Sequence, residues 1–154
     1  MSMMTTTGYL FPYTGEANLN IEMPDCFIPV TAAHEISHQR GVASEQEANF
    51  VAVLACVGSE DEDFRYSGWL FGFTYLSNAL YKADYDEWYR IRSSICDAAN
   101  RDLAADSAYW QQFEDTGTAE KSDQLYDSYL KHNGQELGRK SYGAVVDLLI
   151  AYYK

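Results

Sequence analysis

Residues 34–49 read HEISHQRGVASEQEAN, and no other stretch constrains the fold so tightly. Its first half is an HE-x-x-H pattern formed by His34, Glu35 and His38. On a helix, His34 and His38 stand one turn apart and project from one face. Two imidazoles placed that way can share a metal ion, and zinc is the usual occupant. Glu35 is rotated to the side, where it can hold and deprotonate a zinc-bound water. The chain has only 3 histidines, and two of them fall in this pattern.

The second half supplies a third ligand. Pro29 suits a first helical position and Gly41 a helix stop, so a helix is predicted from about Pro29 to Arg40. The short link Gly41-Val42-Ala43 makes the next helix, about Ser44 to Val57, fold straight back. Ser44 and Glu47 match a capping box, which gives Glu47 a structural explanation. Glu45 lies about 200° around the helix from Glu47. It shares its face with Ala48, Asn49, Ala52 and Cys56, small residues that allow close approach of the first helix. Glu45 is therefore the expected third ligand and Glu47 the fallback. Asn49, one turn below Glu45, is a natural partner for orienting a ligand.

The rest of the chain sets the class. With 154 residues, 47% hydrophobic and 15% aromatic, it can bury a core as a single domain. Its 3 prolines all fall within the first 29 residues, so helices downstream are uninterrupted and the expected class is mainly α. Residues 1–28 form an extended segment or hairpin packed on the helical domain of 29–154. Strand-like runs Gly8–Tyr13 and Ala17–Ile21 flank a turn at Thr14-Gly15-Glu16. Asn18 and Asn20 alternate with Leu19 and Ile21, which predicts a wet face carrying the asparagines. A strand edge there could hold an extended peptide by main-chain pairing, with Ala17 and Asn18 as substrate-binding candidates.

Further helices are predicted over about 64–82, 84–95, 100–113 and 120–131, with a last one from about Ser141. The acidic lead-in at 58–63 suits helix capping better than calcium binding. Arg65 and Tyr66 follow it, as cleft or packing residues. Trp88, Tyr89 and Ile91 are expected to face the core, as are Leu103, Tyr109, Trp110 and Phe113, and then Val145, Val146, Leu148, Leu149 and Ile150. Before the last helix, His132, Arg139 and Tyr142 are candidate donors to an oxyanion, and Arg139 and Tyr142 are preferred.

Charge excludes some partners. Lys and Arg total 11 against 23 Asp and Glu, a formal net charge of -12 that repels nucleic acid and anionic headgroups. Cys26, Cys56 and Cys96 show no C-x-x-C spacing and read as separate buried thiols. No apolar run reaches membrane-spanning length, and Met1 to Thr7 is too short for a signal peptide, so the chain as written reads as soluble.

The run HEISHQRG-VASEQEANF-VAVLAC resembles a bacterial domain-of-unknown-function family of gluzincin-like, membrane-anchored zinc metallopeptidases. Tyr13 to Asn18, Phe64 to Gly68 and Asn133 to Gly143 carry family-like stretches as well. The resemblance implies a compact zincin-like helical domain that follows N-terminal transmembrane helices absent from this chain. In gluzincins an E-x-x-A-[ND] pattern supplies the third zinc ligand, and here it falls on Glu45 to Asn49. Asn49 replaces the Asp of many relatives, and the spacer from His38 is short, which implies a reduced fold. The expected activity is zinc-dependent hydrolysis of peptide or protein substrates. The alternatives are a zinc-bearing binding or sensor domain with little catalysis, and a helical interaction domain in which the motif is vestigial.

Overall fold

The computed structural model describes residues 1–11, 13–114 and 142–154. The helix expected over 120–131, His132 and Arg139 lie outside the described residues, as does the side chain of Tyr142. The described chain is mainly helical with one N-terminal hairpin, as the proline distribution implied. Strands β1 (Gly8–Phe11) and β2 (Glu16–Leu19) pair antiparallel, from Gly8 opposite Leu19 to Phe11 opposite Glu16. Helices follow as α1 (Ile28–Gln39), α2 (Glu45–Val57), α3 (Glu62–Ala83), α4 (Tyr85–Arg92), α5 (Asp97–Glu114) and α6 (Tyr142–Tyr153).

Helix α2 is the centre of the packing and touches α1, α3 and α6. Its buried residues Ala48, Ala52 and Cys56 are small, so the neighbouring helices come close. Met23, Phe27, Val30 and Leu70 complete one core cluster with Ala52 and Cys56, while Val53, Val145 and Leu149 form a second under α6. The hairpin lies along α1, and Gln39 Nε2 donates to Gly15 O at 2.7 Å to tie its turn to the end of that helix.

Helix α1 has no side-chain cap of its own. A free amide of its first turn, Val30 N, instead donates to Ser67 Oγ of α3 at 3.0 Å, and Ser67 is fully buried. That bond fixes the helix against its neighbour and satisfies an end group that would otherwise be orphaned. Ser67→Ala leaves a buried amide without a partner and is expected to cost about 1–3 kcal/mol. A drop in unfolding midpoint in chemical denaturation would register it, and an unchanged midpoint would show that Val30 N finds another acceptor. The acidic lead-in acts as a cap, for Asp61 accepts from Asp63 N and Phe64 N. Arg65 is engaged by the carbonyls of Ser59 and Glu60, which keeps it at the α2–α3 junction, and Tyr66 donates to Asp102.

Several sequence expectations are corrected. Asn20 is buried and Ile21 is 77% exposed, the reverse of the predicted wet face. The reason is a polar knot: Asn20 Nδ2 donates to Ser2 Oγ at 3.1 Å and to Tyr109 OH at 3.4 Å. Helix α4 fully buries no residue, and Tyr89 is exposed. It is anchored through Trp88, whose indole donates to Ser77 Oγ at 2.9 Å. In α6, Val145 and Leu149 are buried but Ile150 is exposed. Cys56 is buried and Cys26 half-buried, whereas Cys96 sits exposed beyond the end of α4. Burial pushes the Cys26 and Cys56 thiols up to about 11.

Candidate metal centre

Helix periodicity places His34 and His38 on one side of α1, with ring centroids 4.6 Å apart and planes nearly perpendicular. Their Nε2 atoms approach to 3.0 Å. Ser44 caps α2, accepting from Glu47 N at 3.5 Å, and so fixes which carboxylate faces α1. Glu45 is the one that does: Oε2 lies 3.3 Å from His34 Nε2 and Oε1 lies 3.4 Å from His38 Nε2. Glu47 points to solvent, outside this group.

These lengths have a coordination meaning. Ligands about 2.0–2.1 Å from a tetrahedral zinc are separated by roughly 3.3–3.4 Å along each edge. The two imidazole nitrogens, 3.0 Å apart, and the Glu45 oxygen nearest each of them, Oε2 at 3.3 Å from His34 and Oε1 at 3.4 Å from His38, are spaced close to such an edge. Two imidazoles and one carboxylate are also a donor set that zinc accepts. The residues present fit the ion.

The turn after α1 contributes to the orientation. Gly41 has φ 97, the left-handed region that glycine enters without strain. The chain then returns so that Val42 O lies 2.7 Å from His38 Nδ1. A proton on Nδ1 is donated to that carbonyl, leaving the Nε2 lone pair for a metal. His34 Nδ1 is buried and has no such partner among the described residues. Burial lowers the His38 pKa, but the hydrogen bond and charge of Glu45 outweigh it and the net shift is upward.

Glu35 is the most unusual member of the site. It is 3% exposed, and its Oε2 has no hydrogen-bond partner among the described residues. Burial raises its pKa, an effect opposed by His34 and His38 and reinforced by Glu45. Gly8 of β1 lies directly over it: a Cβ there would fall 2.6 Å from Glu35 Oε1 and 2.7 Å from its Cγ. Sequence reasoning missed Gly8, since no local pattern links it to α1.

A cavity of about 310 Å³ adjoins the centre, with His34, Asn49, Thr31 and Asp106 in its wall. Asn49 is half-buried in the same wall. Ala17 and Asn18 lie on β2 opposite Leu10 and Tyr9. Ala17 is exposed, and the Asn18 side chain bonds to Glu16 O at 3.0 Å.

The model for a family of proteins of unknown function, DUF3810, matches residues 1–150. The chain belongs to the DUF3810 family. No curated protein matches it, and no solved structure does. The match takes in the hairpin, both helices of the metal centre and most of α6, so every residue of the site belongs to the DUF3810 domain.

Proposed function

We propose that this DUF3810 domain is a zinc-dependent peptidase whose metal is held by His34, His38 and Glu45. The observation that supports this most is the buried Glu35 oxygen, without a hydrogen-bond partner among the described residues, beside two imidazoles and a carboxylate whose nearest atoms are 3.0, 3.3 and 3.4 Å apart. A purely structural zinc site has four protein ligands and no use for a buried acid next to them. Here the described residues supply three.

When bound, zinc supplies a Lewis acid that acidifies water and polarises a carbonyl. The chain's own residues do the rest. Glu35 takes a proton at its carboxylate from the attacking water and returns it to the departing amine as the C–N bond breaks. Burial keeps solvent from competing for that proton. Gly8 leaves room for the Glu35 carboxylate, and the hairpin backbone offers main-chain pairing to an extended peptide near Ala17 and Asn18. Arg139 and Tyr142 are proposed as donors to the developing oxyanion. The test is peptide cleavage by zinc-loaded protein against the Glu35→Gln variant, with chelation abolishing turnover and added zinc restoring it.

Gly8→Ala gives a separate check on the hairpin. The added methyl forces the Glu35 side chain to shift, and a misplacement of about 1 Å costs on the order of 10²-fold in rate. Turnover is expected to fall by that order with zinc stoichiometry and unfolding midpoint little changed. Undiminished turnover would show that Glu35 acts from another position.

A zinc-bearing binding domain is the second reading. Its supporting observation is the hairpin tip, where the Phe11 and Tyr13 rings lie tilted with centroids 5.8 Å apart and Tyr13 is 91% exposed. One bound zinc without cleavage of any peptide would favour it. No helix among the described residues is long and apolar enough to cross a membrane. Membrane anchoring is thus a proposal that rests on the family resemblance alone.

A further inference from the structure

The cavity beside the metal centre contains a charged group that the reaction above does not use. Its volume of about 310 Å³ is near the lower end for ligand pockets, roughly 300–1,000 Å³. That is room for a single side chain rather than a length of peptide. The wall joins His34 and Asn49 to the rings of Phe27, Phe71 and Trp110 and to the carboxylate of Asp106 on α5. One oxygen of Asp106 accepts from Trp110 Nε1 at 2.9 Å, which fixes the carboxylate in the wall. Its other oxygen has no hydrogen bond, and the group no ion-pair partner, among the described residues.

We propose that this cavity is the specificity pocket of the site and takes the basic side chain, lysine or arginine, of a peptide whose backbone lies at the metal centre. The proposal rests on the peptidase reading for the peptide, but the chemistry of the pocket is its own. An anionic carboxylate in a half-enclosed aromatic pocket is best complemented by a cation. The guest gains a charge-assisted hydrogen bond from the free oxygen and cation–π contact with the rings. A neutral guest of the same shape offers only a neutral hydrogen bond and leaves the Asp106 charge uncompensated, which is the basis of discrimination. Burial of Asp106 raises its pKa, the mark of a carboxylate short of compensating charge.

The test separates the pocket from the peptidase activity. Butylguanidinium and its neutral isostere butylurea are titrated into the zinc-loaded full chain, with the Trp110 indole N–H followed by NMR. The cation is expected to bind about tenfold or more tightly than the urea and to shift that resonance. Asp106→Asn, which keeps an acceptor for Trp110, should remove the preference. Equal binding of the two probes, or a preference that survives Asp106→Asn, overturns the proposal. If the variant does not fold, the wild-type comparison alone decides. In parallel, peptide-library cleavage should show lysine or arginine enriched at one position beside the scissile bond. Cleavage without that enrichment also overturns the pocket. Selective binding of the cation with no cleavage of any peptide upholds the pocket and removes the peptidase reading instead.

Discussion

Glu35→Gln is expected to lower peptide turnover by about 10²–10⁴-fold, the usual contribution of a positioned general base. Gln has nearly the same shape, and Glu35 sits on the helix that carries both histidines without being one of the grouped metal donors. Zinc stoichiometry and the fold should therefore be unchanged, which separates loss of a base from loss of the metal. Fold stability is expected to hold or rise. The carboxylate is buried with an oxygen that has no hydrogen-bond partner among the described residues, so a neutral amide removes a desolvated charge. Turnover and calorimetric zinc titration of the same preparation check both halves. A fully active Glu35→Gln protein would remove Glu35 from the chemistry.

The second large effect distinguishes the two acids of α2. Glu45→Ala deletes one corner of the donor triangle and is expected to weaken zinc binding by more than the about 10–100-fold typical of groups that only orient ligands. Glu47→Ala should leave zinc affinity unchanged, because Glu47 faces solvent and it is its backbone amide that meets Ser44. Competition against a chelator of known affinity measures both. If Glu47→Ala proved the weaker binder, the helix would have to be rotated from the orientation seen here.

The contrast between those two residues shows what could be read from the chain and what could not. The helix–turn–helix of α1 and α2 was legible because its signals are local. Gly41 stops one helix, Ser44 starts the next, and the 3.6-residue period sets which side chains share a face. The supports of the site are not local. Ser67 reaches Val30 across 37 positions, and nothing near Gly8 in sequence hints at its close approach to Glu35. Asp106 reads as an ordinary helix-surface acid until α5 is placed against the cavity.

The errors share a cause. The alternation from Asn18 to Ile21 continues past the end of β2 at Leu19, and which of Asn20 and Ile21 turns inward there is decided by partners far away. Ser2 and Tyr109 supply hydrogen bonds to Asn20, and that draws the asparagine in and leaves Ile21 outside. Likewise Tyr89 and Ile150 carry apolar surface at helical spacing, yet no helix among the described residues covers them. Periodicity marks a face that can be buried. Which neighbours arrive to bury it depends on the whole chain.

The central claim is that His34, His38 and Glu45 hold one zinc ion. X-ray absorption at the zinc edge tests it most directly, on protein loaded with one equivalent, beside a His34→Ala/His38→Ala double variant. The expected spectrum has two imidazole nitrogens and low-Z oxygen ligands about 2.0–2.1 Å from the metal and no sulfur, with the imidazole signature lost in the variant. Zinc held by sulfur, or an imidazole signature that persists in the variant, would contradict it.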